Sequence, residues 1–291
     1  DLDEALSMDP EDASALTLRG DLRSGLKDFS GAVADYDAAL ELLGGQDFQI
    51  FGSRGLAHLR SGKFQASLGD FDRALELRPD AAVVLGFRAE ARLETADIAG
   101  AIEDLTRAVD ADPDNPTMYL KRGYYYYNSG GFQEALEDYE QGVKRETQRE
   151  SLDYMNLWIW LASAAGGERA PADERLREHL RTREADGAAV DEASSSGAGS
   201  AHGVLDWYAT LARFLLGELD QEALLDAARV ESGEVTAQQL CEAYYYAANA
   251  RLVENGSAAE AVQLLEACRA TGVREFFEYR GARIQLLRLK K

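Results

Sequence analysis

Apolar residues recur every three or four positions along most of the chain, and not at every second position. Because an α-helix has about 3.6 residues per turn, this spacing places the apolar side chains on one face of each helix. Only 5 prolines interrupt the pattern, and hydrophobic residues make up 46 % of the 291 residues. The chain can therefore bury a substantial core, and the pattern predicts an all-α protein.

A pattern of small and large residues occurs four times along the chain. A small residue is followed after 12 positions by a second small residue and after 16 positions by a large one. The first small residues, which are 35, 34 and 34 positions apart, are Gly20, Gly55, Ala89 and Gly123. The large residues are Tyr36, Phe71, Leu105 and Tyr139. Since small residues let two helices approach and a large one fills the space between them, we expect four helical hairpins.

This period resembles the tetratricopeptide repeat (TPR), a helix–turn–helix of 34 residues. We assign residues 13–147 to four such repeats, of which Pro79 and Pro113 close the second and the third. Residues 1–12 fit the second helix of a preceding repeat, so we expect the natural protein to begin before residue 1. The resemblance implies a right-handed helical solenoid that binds proteins or peptides in a concave groove.

Two charged positions also recur in all four copies. An Arg precedes each first small residue, and an Asp precedes each large residue. The resulting pairs are Arg19 with Asp35, Arg54 with Asp70, Arg88 with Asp104 and Arg122 with Asp138. Because the two positions face one another on antiparallel helices, we predict a structural ladder of Arg–Asp pairs, bidentate where the geometry allows. An arginine strip that binds a partner is the alternative, but each Arg brings its own carboxylate.

Helical spacing continues in the second half of the chain, where the repeat is less regular. We expect a helical pair over residues 148–185, a flexible Gly/Ser-rich insertion over 186–203 and a helical part over 204–291. The last part contains a degenerate TPR from about Thr236 to Thr271, followed by a helix that caps the stack.

Four segments of this half resemble the bacterial TPR lipoprotein family typified by NlpI. They are Leu157-Trp158-Ile159-Trp160-Leu161, Phe214 to Leu219 with Leu224-Leu225, Leu240 to Tyr244, and Gly272 to Arg280. The resemblance implies a periplasmic or outer-membrane-anchored lipoprotein that forms homodimers and brings peptidoglycan hydrolases to a periplasmic protease. The chain departs from that family at two points, because it lacks the lipid-modified N-terminal Cys and contains the Gly/Ser-rich insertion.

The repeat register predicts which side chains line the groove, because the first helices of successive repeats face it. The predicted positions are Thr17, Asp21, Gly52, Leu56, Leu59, Gly86, Glu90, Leu93, Leu120, Tyr124 and Tyr127. We expect Tyr124 and Tyr127 to be exposed there, where an aromatic ring offers contact area and a polar tip. We also expect Gly52 and Gly86 to let a bound helix or extended peptide come near.

The charge of the chain restricts its partners. A net charge of −21 repels phosphate backbones, so nucleic acid is not an expected partner. It favours a basic or mainly apolar protein, although an acidic surface without a partner fits the charge equally well. No run of about 18 apolar residues occurs, so the sequence predicts no transmembrane helix.

The arrangement of reactive residues indicates no catalysis. His58, His179 and His202 fall in separate segments without metal-ligand spacing. The two cysteines, Cys241 and Cys268, lie on antiparallel helices of the degenerate repeat, where buried free thiols are more expected than a bridge. We therefore expect no metal, no cofactor and no enzymatic activity. Two functions remain: an adaptor that brings proteins together in the cell envelope, and a structural protein that acts mainly through homo-oligomerisation.

Overall fold

The structure, a computed structural model, describes residues 2–193, 206–229, 234–254, 257–274 and 276–290, and its regular elements in these residues are all helices. The all-α prediction is therefore confirmed. The chain divides into two compact units, unit 1 (Asp1–Lys121) and unit 2 (Arg122–Lys291). The boundary falls within one helix, α8 (Pro116–Ser129).

Unit 1 is a stack of helical pairs in which each helix packs against the next one along the chain. Its helices before α8 are α1 (Leu2–Met8), α2 (Ala13–Gly25), α3 (Phe29–Leu42), α4 (Phe48–Arg60), α5 (Phe64–Leu77), α6 (Ala82–Glu94) and α7 (Ile98–Ala111). First helices of successive repeats also touch, since α2 contacts α4 and α4 contacts α6.

Unit 2 contains the remaining helices, which are α9 (Phe132–Val143), α10 (Arg149–Ala165), α11 (Arg169–Ala193), α12 (Trp207–Leu215), α13 (Gln221–Ala227), α14 (Glu234–Val253), α15 (Ala258–Ala270) and α16 (Phe277–Leu289). Helix α14 packs against α10, α12, α13, α15 and α16. The predicted Gly/Ser-rich insertion at 186–203 begins within α11, which extends to Ala193. Its remaining residues, 194–203, lie outside the described residues.

Acidic residues begin many of the helices. Asp12 accepts hydrogen bonds from the backbone N–H groups of Ser14 and Ala15, at 2.9 and 3.0 Å. The same capping role falls to Asp28, Asp47, Asp97, Asp206 and Asp220. A carboxylate at this position satisfies N–H groups that have no partner inside the helix and interacts favourably with the helix dipole. Part of the large negative charge therefore has a structural use.

The small and large residues of the repeat pack directly against one another. A Cβ atom added to Gly55 would lie 2.7 Å from Cε1 of Phe71, and one added to Gly20 would lie 2.6 Å from Cε1 of Tyr36. In the third repeat the two positions hold Ala89 and Leu105, both completely buried. An aromatic ring therefore stands opposite a glycine, whereas the smaller leucine accompanies an alanine.

The four predicted Arg–Asp pairs form, and each is bidentate through Nε and Nη2 of the arginine. In unit 1 the two distances are 3.0 and 2.7 Å for Arg19–Asp35, 3.0 and 2.5 Å for Arg54–Asp70, and 2.9 and 2.6 Å for Arg88–Asp104. In unit 2 they are 2.8 and 2.6 Å for Arg122–Asp138. The aspartates are buried in every case. Each pair therefore joins the two helices of one repeat at a fixed height.

In unit 1 the third nitrogen of each arginine bonds a second carboxylate, from the preceding helix. Nη1 of Arg54 donates to Asp37 at 2.6 Å, and Nη1 of Arg88 donates to Asp72 at 2.7 Å. Arg19 makes the same bond to Asp3 at 2.8 Å. These aspartates are exposed, so the single bonds contribute little energy, but they connect each repeat to the one before it.

The buried Arg88–Asp104 pair should show a large coupling energy in a double-mutant cycle with alanine. Side chains of the two residues are only 10 % and 1 % exposed, so removing one takes the bidentate partner from a buried charge and leaves a second partner, Arg92 for Asp104 or Asp72 for Arg88. We expect a coupling above about 2 kcal/mol in urea unfolding. Arg73 and Glu76 are the matched control, since they also form a 2.7 Å ion pair but are 45 % and 65 % exposed. Their coupling should stay below about 0.5 kcal/mol, and equal couplings would show that burial is not what matters.

Two glycines in neighbouring helices should respond oppositely to alanine. Gly55→Ala places Cβ against the completely buried ring of Phe71, so we expect it to lower the free energy of unfolding by about 1–3 kcal/mol. Gly69 lies exposed in α5 with nothing within 4 Å of an added Cβ. Gly69→Ala should raise the free energy by about 0.5–1 kcal/mol because alanine favours the helix. A stabilising Gly55→Ala would contradict close packing at the first position.

Candidate protein-binding surface

The predicted groove positions of unit 1 do not form an open row. Asp21 is exposed, and Thr17, Leu56 and Leu120 are partly exposed. The carboxylate of Asp21 accepts a hydrogen bond from the Tyr36 hydroxyl at 2.7 Å, so it also holds the core ring in place. The other predicted positions in this unit are buried: Gly52, Leu59, Gly86, Glu90 and Leu93.

The two predicted groove glycines serve the packing of neighbouring repeats instead of leaving room for a ligand. A Cβ on Gly52 would lie 3.5 Å from Cγ2 of Val84, and one on Gly86 would lie 3.5 Å from Sδ of Met118. Val84 and Met118 belong to the first helix of the following repeat. The expectation that these glycines admit a bound peptide is therefore wrong, because the space they leave is taken by the next helix.

Glu90 is likewise engaged within unit 1. Its carboxylate accepts a bond from Nζ of Lys121 at 2.8 Å, and the lysine nitrogen lies 5.6 Å from the centroid of the Phe87 ring. The side chains of Glu90 and Lys121 are 8 % and 14 % exposed. A buried charge needs such a partner, so Glu90 joins successive first helices in place of facing a ligand.

In unit 2 the expectation that Tyr124 and Tyr127 are exposed is wrong, because they are 1 % and 2 % exposed. The hydroxyl of Tyr124 donates to the backbone oxygen of Phe277, and the two rings pack edge to face with centroids 5.3 Å apart. Tyr127 donates to Oδ1 of Asn249 at 2.7 Å. Helices α14 and α16 therefore cover the face of α8 that the repeat register assigned to a partner.

A buried network of polar side chains holds these helices together. Nε2 of Gln285 donates to Oδ1 of Asn249 at 2.8 Å and to Oδ1 of Asn128 at 2.9 Å. Asn128 also accepts from the hydroxyl of Tyr245 at 2.6 Å. Asn128, Asn249 and Gln285 are at most 1 % exposed. This network was not predicted from the sequence, although an amide within an apolar run, such as Asn249 among Tyr244 to Ala250, is a signal for it.

Beside this network lies a cavity of about 330 Å³. Its walls combine polar and apolar atoms, and the one charged group among the residues that line it is Arg288 of α16. The guanidinium of Arg288 lies 5.8 Å from the centroid of the Phe132 ring. The cavity is near the lower size limit of small-molecule sites.

Two carboxylates are buried where α14 and α16 meet their neighbours. Glu242 is 6 % exposed and accepts hydrogen bonds from Nε1 of Trp207 and, at 3.3 Å, from the hydroxyl of Tyr154. Burial raises the pKa of Glu242 to about 7. Glu278 is 4 % exposed, and burial, followed by the charge of Glu242, raises its pKa well above the ordinary value. Both residues lie in segments that carry the NlpI resemblance, and their role was not foreseen.

The described surface of unit 1 carries a row of exposed leucines on α2 and its C-terminal cap. Leu18, Leu22 and Leu26 are 51 %, 55 % and 82 % exposed. Their spacing of four residues places them on one side of the helix. The repeat register did not single out this row, because the positions equivalent to Leu22 in the next two repeats are Ala57 and Ala91, both completely buried. None of the helices in the described part of the chain combines the length and apolar character needed to cross a membrane.

The buried Glu242 should make unit 2 less stable as pH rises. Folded protein keeps the Glu242 proton up to about pH 7, whereas the unfolded chain loses it near the ordinary pKa of 4.5. Between these values the folded state binds one proton more, so the free energy of unfolding falls with rising pH by about 3 kcal/mol in total.

Glu242→Gln removes this titration and keeps an oxygen that accepts from Trp207 and Tyr154. Measured by urea unfolding, the stability of this variant relative to the natural protein should therefore rise by about 2–3 kcal/mol between pH 5 and pH 8. Glu218→Gln, at an exposed position, should show no such change. A pH-independent difference for Glu242→Gln would mean that this carboxylate is ionised in the folded protein.

Comparison with known proteins finds similarity to TPR proteins. A family model described as tetratricopeptide repeat matches residues 53–116. The lipoprotein NlpI homolog of Haemophilus influenzae is 26 % identical over 246 residues, which cover 81 % of this chain and 71 % of the relative.

Two solved structures show the same fold. A tetratricopeptide repeat protein from Parabacteroides merdae has a TM-score of 0.61 at 14 % identity, over 94 % of this chain and 98 % of that one. The MamA protein has a TM-score of 0.53 at 20 % identity, over 65 % of this chain and 97 % of that one. The chain is thus similar to tetratricopeptide-repeat proteins over residues 53–116 and to the lipoprotein NlpI homolog over most of its length.

Proposed function

We propose that this protein is a non-catalytic adaptor that binds other proteins through unit 1. The observation that carries the proposal is the stack of repeats, whose helices are tied to one another by ion pairs with buried aspartates. The row of exposed leucines on α2 is the surface of this stack that the experiment below tests. An exposed apolar row on a rigid scaffold is a common feature of protein-binding surfaces. With a net charge of −21, the preferred partner segment is apolar and basic.

The cell envelope is the proposed location. Its support is the similarity to a relative named as a lipoprotein, over most of both chains. By the resemblance to the NlpI-type family, the partners are peptidoglycan hydrolases and a periplasmic protease, and the adaptor forms a homodimer. A second candidate function, a structural protein that acts through self-association, rests on the same leucine row, because an apolar surface can also pair with its own copy.

Affinity capture from an extract of cells that make the protein separates the two functions. Three baits are compared: the natural protein, the variant Leu18→Gln/Leu22→Gln/Leu26→Gln, and the control Leu42→Gln/Leu43→Gln, which removes two other leucines that are 42 % and 43 % exposed. Glutamine favours helices, so all three baits should fold. We expect the natural and control baits to retain the same foreign proteins, and the triple variant to lose about 90 % or more of them, as for interface hot spots.

Two other outcomes would contradict the proposal. Retention of foreign proteins by all three baits alike would exclude the α2 row as the binding surface. Recovery of only the protein itself, together with an oligomer mass in solution, would establish the self-associating alternative.

A further inference from the structure

The two cysteines of the chain meet inside unit 2. Cys241 lies on α14 and Cys268 on α15, and their sulfur atoms are 3.1 Å apart. Non-bonded carbon atoms pack at roughly 3.5–4.0 Å, and sulfur is larger than carbon, so the two thiols are closer than ordinary packing requires. A disulfide bond needs a further approach of about 1 Å, which two side chains can share by small rotations.

The surroundings of the pair favour a bond that forms once and then persists. Both cysteines are 0 % exposed, and burial raises the pKa of the Cys268 thiol far above its ordinary value. Because the thiolate is the reactive form, the folded protein protects both sulfurs from oxidants and a completed bond from reductants. The reaction must therefore take place while α14 and α15 are still coming together.

We propose that Cys241 and Cys268 are a modification site and form a structural disulfide that joins α14 to α15. The co-reactant is a disulfide-containing thiol oxidant, either a protein or a small molecule. The thiolate of one cysteine attacks a sulfur of the oxidant, which forms a mixed disulfide and releases one oxidant thiol. The second thiolate then attacks the protein sulfur of the mixed disulfide and releases the other oxidant thiol. Two protein thiols are oxidised to one disulfide, and one oxidant disulfide is reduced to two thiols.

The bond would stabilise the packing of α14, α15 and α16 around the buried polar network of unit 2. Helix α14 carries Tyr245 and Asn249 of the buried network, and α15 packs against α16, which carries Gln285. The covalent link closes a loop between residues 241 and 268, and a loop of this size reduces the freedom of the unfolded chain considerably. In the cell its formation rests on the proposed envelope location, because structural disulfides persist in oxidising compartments.

The test uses the purified full chain, so that its outcome does not depend on location. The protein is unfolded with reductant and refolded in a mixture of oxidised and reduced glutathione. It is then quenched with acid, unfolded in guanidinium chloride without reductant and treated with iodoacetamide. Intact mass counts the alkylated thiols. We expect the refolded protein to take up no iodoacetamide and no glutathione, and a sample refolded with reductant alone to take up two equivalents of iodoacetamide.

The thermal midpoint of unfolding provides a second readout. We expect the oxidised protein to have a Tm higher by on the order of 5 °C or more than the reduced protein. The double variant Cys241→Ala/Cys268→Ala should unfold at the same Tm under both conditions, which separates the bond from other effects of the reductant. Two alkylated thiols or a glutathione adduct after oxidative refolding would overturn the proposal, and so would an oxidised protein that is no more stable than the reduced one.

The same alkylation of protein isolated from its natural cells tests the location separately. A bond that forms in the purified protein but is absent from cells would leave the modification site intact and contradict the envelope location. A bond that does not form in the purified protein would overturn the modification site whatever the location.

Discussion

The bidentate pairing of an arginine with a buried aspartate is the interaction on which the repeat stack depends. Neither charge is tolerated alone in a site closed to water, so each residue requires the other at the right height on the neighbouring helix. In unit 1 this requirement fixes the register of the two helices of a repeat. The third nitrogen of the arginine, bonded to an exposed aspartate such as Asp37 or Asp72, adds a weaker link to the preceding repeat. Close packing of glycine on aromatic ring is possible only once that register is set.

Much of this arrangement can be predicted from the sequence, because its information is local and periodic. The spacing of Gly55 and Phe71, and of Arg54 and Asp70, specifies a helical hairpin and its cross-links without reference to any distant residue. The bond to Asp37 was missed, although the pattern of two aspartates separated by one residue contains the signal. Local periodicity in the sequence therefore predicts the contacts within a repeat, and it also contains a signal for the bonds between neighbouring repeats.

The exposed surface was harder to predict, because the exposure of a side chain depends on which distant segments of the chain pack against it. Helical phase assigns Tyr124 and Tyr127 to the groove side of α8, although the ring of Tyr127 also lies 5.5 Å from that of Phe132 in its own repeat. The groups that cover them, Phe277 and Asn249, lie more than 100 residues further along the chain. No property of the residues around Tyr124 indicates that α16 will lie against it. The same limitation applies to the leucine row on α2, since Leu22 is 55 % exposed whereas Ala57 and Ala91 at equivalent positions are completely buried.

The matching of glycine with an aromatic ring, and of alanine with leucine, restricts how the sequence of such a repeat protein can evolve. A second helix that carries Phe71 cannot replace one that carries Leu105, because the ring would collide with the methyl group of Ala89. The reverse exchange would leave an empty space beside Gly55. Second helices are therefore not interchangeable between the third repeat and the other three, whereas a complete hairpin brings both halves of the match and its own ion pair. Duplication and recombination of the gene can be expected to preserve whole hairpins, with breakpoints in the loops that join them.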